Sequence, residues 1–110
     1  MKGVIMAVKE VDSDGFKKLL LEKKPLVLAD FYAPWCTYCR QIEPVLNELS
    51  GIRSDLTIVK INIDDPQNVD LSATLNISTV PALLFYRNGE LQQRLAGFFT
   101  TGKLLKKLGL

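Results

Sequence analysis

Histidine is absent from this 110-residue chain. Its absence excludes the nucleophilic pairs in which an imidazole activates a serine or a cysteine. The formal net charge of +2 is too small to indicate binding to nucleic acid or to an acidic membrane surface. No apolar run approaches the roughly 18 residues that predict a membrane-spanning helix. We therefore expect neither nucleic acid nor a membrane as a partner.

The amino-terminal segment lacks the pattern of a secretory signal. One lysine precedes a short run whose apolar part, at positions 4–8, has only five residues, which is too short for the apolar core of a signal peptide. Internal repeats, low-complexity tracts and linker-like stretches are also missing, so the sequence predicts a single domain over residues 1–110. We expect a cytoplasmic protein that is monomeric.

Cysteine is scarce, and the two that are present, Cys36 and Cys39, lie in the stretch FYAPWCTYCRQIEP. In a reducing compartment this spacing indicates redox or metal chemistry rather than a structural bridge. A zinc site needs about four ligands, and the chain offers no third cysteine and no histidine. A redox-active dithiol is the favoured interpretation, and an iron–sulfur cluster shared between two chains remains an alternative.

The apolar pattern along the chain alternates between strand and helix periods. It predicts strands at residues 4–8, 26–32 and 56–64, helices at 11–24, 36–50, 67–76 and 100–108, and a hairpin at 82–97. Gly51 is expected just past the second helix, and Asn88-Gly89 is expected to form the hairpin turn. The order predicts an α/β fold, a mixed sheet with helices on both faces.

The predicted strand 26–32 carries the cysteines to the carboxyl edge of the sheet, where ligands of such folds usually bind. Cys36 is expected at the exposed start of a helix, with Cys39 one turn further, which brings their Cβ atoms within roughly 5–6 Å. The unpaired N–H groups and the dipole at a helix start favour a thiolate. We therefore expect Cys36 to attack a disulfide and Cys39 to resolve the mixed disulfide.

Five separated pieces of the sequence, among them ADFYAPWCTYCRQIEP, TVP and NGE, resemble the thioredoxin family in order and spacing. The resemblance covers the chain from Val8 onward and implies a thioredoxin fold, with a five-stranded mixed sheet and four helices. It also implies thiol–disulfide exchange on protein substrates, no organic cofactor, and reduction by a reductase such as thioredoxin reductase. The chain has Thr37-Tyr38 between the cysteines, where thioredoxins usually have Gly-Pro.

Tyr38, just before the second cysteine, is similar to glutaredoxins, in which a TVP segment also occurs. Glutaredoxins usually lack the first strand and helix, and they carry a Gly-Gly element that AGFFTT does not match. A glutathione-linked, glutaredoxin-like reductase is therefore the alternative enzyme. Compared with proline, Tyr38 restores a backbone N–H that can face the Cys36 thiolate. This predicts a potential less negative than the roughly −270 mV of thioredoxin and nearer the glutaredoxin range of about −200 to −230 mV.

Two charged residues interrupt apolar strands. Asp30 lies in the strand before the cysteines, where an ionised carboxylate is costly to bury. The resemblance implies a buried aspartate behind Cys39, with a pKa raised by desolvation, that carries the proton of Cys39. Lys60 lies in the next strand, and the resemblance places it near Asp30. The ordinary alternatives are an aspartate at a strand end in water and a lysine whose stem covers apolar surface.

The resemblance also implies a surface for protein substrates. Trp35 would lie at the mouth of the site, and Pro81 would be cis beside the cysteines, although a trans proline is the general default. Val80 would offer its backbone to an extended substrate segment. Gly97 would let the substrate approach closely, and Phe98 is either a core residue or an added apolar wall of the groove.

Overall fold

The structure is a computed structural model that describes residues 8–110. The described residues form the strands β1 (Lys9–Glu10), β2 (Leu26–Tyr32), β3 (Leu56–Asn62), β4 (Ala82–Arg87) and β5 (Glu90–Ala96), and the helices α1 (Ser13–Leu21), α2 (Thr37–Ile52), α3 (Val69–Thr74) and α4 (Thr101–Leu108). The strand predicted at residues 4–8 lies outside the described residues, apart from Val8, which is not in a strand.

The five strands form one mixed sheet in the order β1-β3-β2-β4-β5. The central strand β2 pairs in parallel with β3 and antiparallel with β4. All seven residues of β2 are buried, because helices cover both faces of the sheet. Asn88 and Gly89 join β4 to β5 with φ angles of +52° and +85°, as a tight hairpin turn requires. The predicted α/β class is confirmed.

Alternation along β2 divides the core into two layers. Leu28 packs in a buried cluster with Ile42 of α2 and Leu104 of α4. Phe31, which points the other way, packs in a second cluster with Phe16 of α1. Asp30 shares the face of Leu28 by alternation, so its carboxyl group points into the layer that contains α2.

The helix that follows the cysteines is longer than the pattern predicts. α2 extends to Ile52, and the expectation that Gly51 lies just past the helix is wrong. The last turn closes when the N–H of Arg53 donates to the Leu49 carbonyl at 2.9 Å. A Cβ atom on Gly51 would meet nothing within 4 Å, so neither a left-handed turn nor a close approach requires glycine here.

The first helix is shorter than its predicted span of residues 11–24. α1 covers Ser13–Leu21 and begins after Asp12, whose carboxylate accepts the N–H of Gly15 at 2.9 Å. This is the N-cap arrangement that acidic and hydroxyl side chains favour. The helix stops early because Lys23 adopts a φ of +53°, a left-handed conformation that ends a helix.

Two other predicted boundaries also change. β3 ends at Asn62 rather than at residue 64, because the Asn62 side chain accepts the N–H of Asp64 at 2.9 Å and turns the chain. The helix predicted at residues 67–76 is divided. Its start is a 3-10 turn at Pro66–Asn68, and the α-helical part is limited to Val69–Thr74.

Candidate active site

Cys36 is the N-cap of α2, at the carboxyl edge of the sheet. The N–H of Cys39 donates to Cys36 Sγ at 3.1 Å, which is the bond that an N-cap side chain accepts from the first turn. The Cys36 thiol in turn donates to the Val80 carbonyl at 3.6 Å. Both cysteines are free thiols. The start of α2 therefore directs a backbone donor at the Cys36 sulfur, as the sequence predicts.

The two thiols differ in accessibility. Cys36 is 6% exposed and Cys39 is 1% exposed, so the expectation of an exposed Cys36 is wrong. Tyr32, Ala33 and the partly buried Val80 pack around the pair and cover it. Burial, followed by the hydrogen bond with Cys36, raises the pKa of the Cys39 thiol to about 12. Cys36 is the more accessible thiol, and Cys39 stays protonated at neutral pH.

The first turn of α2 provides one direct backbone donor to the Cys36 thiol. Among the backbone N–H groups of residues 8–110, that of Cys39 is the one that donates to Cys36 Sγ. In this free-thiol form the Tyr38 N–H makes no direct bond to Cys36 Sγ, and its effect on the thiolate stays a prediction. The side chain of Tyr38 is 60% exposed, so it presents an aromatic ring beside the dithiol.

Asp30 is 1% exposed and lies near enough to Cys39 for its charge to act on that thiol. Its Oδ1 atom has no hydrogen-bond partner within the described part of the chain. Burial raises the pKa of Asp30 to about 7, while the charge of Lys60 lowers it and that of Glu43 raises it further. The charge of Asp30 also contributes to the raised pKa of Cys39. A carboxyl group of this kind can take up and return a proton near neutral pH.

Lys60 is the register partner of Asp30 across β2 and β3. Both side chains, with those of Glu10 and Glu43, line a cavity of about 180 Å³. Lys60 Nζ lies 3.6 Å from Glu43 Oε2 and 4.6 Å from the centre of the Tyr32 ring. The structure places Lys60 near Asp30, as the resemblance implies, but the ion pair of its ammonium group is with Glu43.

The residues expected to receive a substrate meet on one side of Cys36. The Val80–Pro81 peptide bond is cis, and the carbonyl oxygen of Pro81 accepts the N–H of Gly97 at 3.1 Å. Gly97 has a φ of +96°, and a Cβ atom there would meet nothing within 4 Å. Phe98 is 44% exposed, which assigns it to the surface rather than to the core.

Trp35, just before the first cysteine, is 66% exposed. Its indole N–H donates to Asp64 Oδ2 at 2.8 Å, which fixes the ring at the mouth of the site. The sequence reasoning missed Asp64. A signal was present, because Asp64 follows β3 and the carboxyl ends of parallel strands meet at the same edge of a sheet.

The sequence reasoning also missed Glu43. It comes four residues after Cys39, and residues at this spacing share one face of a helix. That spacing could have indicated a third charged group near Asp30 and Lys60. Glu10, on the short strand β1, could not have been found in this way, because its approach depends on the pairing of β1 with β3.

Residues 8–110 contain neither a ready-made metal site nor a helix that could span a membrane. In that span no group of three or more His, Cys, Asp or Glu side chains is arranged to hold a metal ion. None of the helices formed by the same residues is long and apolar enough to cross a membrane. An iron–sulfur cluster shared between two copies of the chain would need ligands from the second copy.

Comparisons with known proteins agree on one family. A family model described as Thioredoxin matches residues 7–109. The thioredoxin of Streptomyces clavuligerus is 36% identical over 96% of this chain and 94% of its own length. The chloroplastic M-type thioredoxin of Spinacia oleracea is 33% identical over 84% of this chain, which spans about half (51%) of that relative.

A comparison of structures indicates the same family as the comparison of sequences. The crystal structure of thioredoxin f2 from Chlamydomonas reinhardtii superposes with a TM-score of 0.84 at 32% identity, over 93% of this chain and 94% of that one. The predicted thioredoxin fold, with its five-stranded mixed sheet and four helices, is thereby confirmed. The chain belongs to the thioredoxin family, whose members are protein-disulfide oxidoreductases.

Proposed function

We propose that this chain reduces disulfide bonds in protein substrates through its Cys36–Cys39 dithiol. One observation carries the proposal: the Cys36 sulfur receives a helix-start N–H and adjoins the Val80 carbonyl. An extended substrate segment would pair with the backbone at Val80, and main-chain hydrogen bonds would give affinity with little demand on sequence. The open space at Gly97 leaves room for that segment.

The exposed aromatic residues extend the same surface. Trp35, held by Asp64, and Phe98 would contact apolar side chains that flank a substrate disulfide. Such contacts are sequence-tolerant, because they depend on apolar area rather than on specific hydrogen bonds. We therefore propose a broad range of protein disulfides as substrates rather than one small molecule.

The reaction would have two exchange steps. In the first, the Cys36 thiolate attacks one substrate sulfur, so that a Cys36–substrate disulfide forms while the substrate S–S bond breaks. The released substrate thiolate takes a proton from solvent. In the second, the Cys39 sulfur attacks Cys36 Sγ and the remaining substrate thiolate leaves. Two electrons thus pass to the substrate, and Cys36 and Cys39 end as a disulfide.

Asp30 would assist the second step. The Cys39 thiol has a pKa raised to about 12 by burial, so it reacts slowly unless a base takes its proton. Asp30, with a pKa of about 7, is present in both protonation states near neutral pH. Its carboxylate would accept the Cys39 proton and later release it to solvent through the cavity that it shares with Lys60.

The oxidised protein must be reduced again, and we propose a reductase of the thioredoxin reductase type. The family match and the thioredoxin relatives favour this partner over glutathione. The resemblance that favours glutathione is limited to one position, Tyr38.

A cytoplasmic location and a monomeric state also remain proposals. Fractionation of the host and size-exclusion chromatography test them, and a free dithiol suits a reducing compartment.

Insulin reduction tests the proposed function. The wild type should accelerate it with NADPH and thioredoxin reductase, Cys36→Ser should abolish it, and Cys39→Ser should accumulate a mixed disulfide with the substrate. Ser54→Ala, at an exposed loop position, is the control and should keep full activity. Turnover with glutathione alone would instead establish the glutaredoxin-like function. An inactive preparation with visible absorption from an iron–sulfur cluster would contradict the proposal.

A further inference from the structure

Further charged side chains line the cavity beside Asp30, although the transfer of one proton from Cys39 does not require them. Glu43 reaches it from α2 and Lys60 from β3, and their side chains are 44% and 21% exposed. Lys60 pairs with Glu43, at 3.6 Å, and not with Asp30. The ammonium group therefore lies towards the solvent side of the cavity, while the Oδ1 atom of Asp30 has no hydrogen-bond partner in the described part of the chain.

We propose that Glu43 is a positioning residue for the resolving step: it holds the Lys60 ammonium at the mouth of the cavity and so keeps the Asp30 carboxyl free to accept the proton of Cys39. The consequence for exchange rests on the proposed function. The effect on the proton affinity of Asp30 does not, because it can be measured without turnover.

The physical reason is competition for one cation. The lysine side chain has a flexible four-carbon stem, so its ammonium group can move between two carboxylates on the same side of the sheet. An opposite charge within about 4–6 Å of a carboxyl group favours its ionised form. While Lys60 stays with Glu43 and over the Tyr32 ring, its charge lowers the pKa of Asp30 only from a distance, without a direct ion pair. The negative charge of Glu43 itself raises the pKa of Asp30 in the same direction.

Other titratable groups also face Asp30, and the test must hold them constant. Those groups are contributed by every element packed around the cavity and the dithiol: Glu10 from β1, Tyr32 from β2, Cys36 and Cys39 at the start of α2, and Lys60 from β3. Burial, and then Glu10, raise the pKa of Tyr32, so the phenol stays neutral. Glu43 is thus the group whose removal frees Lys60 without altering the dithiol.

The first experiment is an NMR titration of the Asp30 side-chain carboxyl carbon in the reduced protein. Glu43→Gln should move the Asp30 midpoint to lower pH by roughly half a unit to one unit, since one negative charge is lost and Lys60 is released. Glu22→Gln removes the same charge from an exposed position at the end of α1, and it should leave the midpoint unchanged. An unchanged midpoint in Glu43→Gln would overturn the proposal.

A double-mutant cycle separates positioning from simple repulsion. In a Lys60→Met background, Glu43→Gln should shift the Asp30 midpoint by less than half as much as in the wild type, because there is no ammonium group left to release. Equal shifts in the two backgrounds would mean that Glu43 acts only through its own charge, and positioning would be refuted.

The resolving step gives the second measurement. The pH dependence of Cys39 attack on a preformed mixed disulfide should move to lower pH in Glu43→Gln, together with the Asp30 midpoint. If the midpoint moves and the exchange profile does not, Glu43 does not position Lys60 for exchange. If the midpoint moves while the wild type reduces no protein disulfide, the proposed function fails and the assignment of Glu43 to Lys60 and Asp30 stands.

Discussion

The two faces of the central sheet bury the same strand in different ways. On the face covered by α1 and α3, Phe16 packs edge-on against Phe31 and Tyr86, with ring centres 5.8 and 5.5 Å apart. On the face covered by α2 and α4, the alternation of β2 places Asp30 where an aliphatic side chain would fit, with Lys60 beside it.

The two faces of the sheet have different roles. Apolar packing on the α1 side contributes only stability, whereas the buried carboxyl group on the α2 side is unfavourable when ionised. That unfavourable group lies near Cys39, where a proton acceptor is needed. A wholly apolar second face would give a more stable protein with no base near the dithiol.

The largest expected effect is the loss of stability caused by a substitution in the apolar layer beside α1. Phe16 is 1% exposed, so Phe16→Ala should lower the free energy of unfolding by about 3–5 kcal/mol through lost contacts and a cavity. Phe98→Ala, at an exposed position, should change it by less than about 0.5 kcal/mol. Urea denaturation measures both. Similar losses in the two variants would mean that the α1 layer does not provide the stability assigned to it.

The second prediction concerns the ionisable face and pH. The pKa of Asp30 is about 7 in the folded state and 3.8 ordinarily, so between these values the folded state binds more protons at this site. The stability of the wild type should therefore fall as pH rises from about 4 to about 7, by at most roughly 4 kcal/mol from this group. Asp30→Ala should lack that decline and be the more stable variant above pH 7.

Denaturation at a series of pH values checks the slope, with Asp70→Ala as the control at an exposed acidic position. The control should retain the decline of the wild type. Asp30→Ala should also slow turnover and accumulate the mixed disulfide, because Cys39 loses its base. A variant that is less stable above pH 7 and turns over normally would remove Asp30 from the site.

The sequence alone predicts the central strand and the unusual residue within it. The span of β2 is predicted to the residue, because an apolar run lies between Pro25 and the cysteine motif and both its faces are covered. Asp30 is conspicuous for the same reason, since a carboxylate inside such a run needs an explanation. The cysteine spacing and the flanking motifs then indicate the family and its fold.

What the sequence does not give are the pairings made across elements. The bond between Trp35 and Asp64 and the ion pair between Glu43 and Lys60 depend on how α2 and the strand ends pack. Local periodicity does not contain that information. Gly51 is an error of the same kind: glycine is a frequent helix terminator, yet the backbone bond made by Arg53 closes a helix that ends two residues beyond the expected end.

The third prediction narrows the comparison to the two thiols on the α2 side. Near neutral pH, iodoacetamide should alkylate Cys36 roughly tenfold or more faster than Cys39 in the reduced protein, since a thiolate is the reacting species. Cys39 is the more buried, and burial raises its pKa to about 12. Peptide mapping by mass spectrometry gives the two rates. Earlier alkylation of Cys39 would reverse the assignment of attacking and resolving thiols.

The smallest expected effect concerns Thr37-Tyr38. Thr37→Gly with Tyr38→Pro removes one backbone N–H from the first turn of α2, where N–H groups lack partners inside the helix. Such donors and the helix dipole stabilise a charged thiolate more than a neutral disulfide, so a better stabilised reduced form is a stronger oxidant. The variant should therefore be the more reducing protein, and the wild type should lie above the roughly −270 mV of thioredoxin.

The geometry limits the size of that difference. The donor that contacts Cys36 Sγ, at 3.1 Å, is the N–H of Cys39, and the substitution leaves it in place. What is lost is the longer-range attraction of the Tyr38 amide, so the potential should change by less than about 30 mV, which corresponds to about 1.4 kcal/mol. Redox equilibration of the wild type and the variant against one glutathione buffer measures it. If the variant is not the more reducing of the two, the argument from the Tyr38 amide is wrong, and the potential is set by something else.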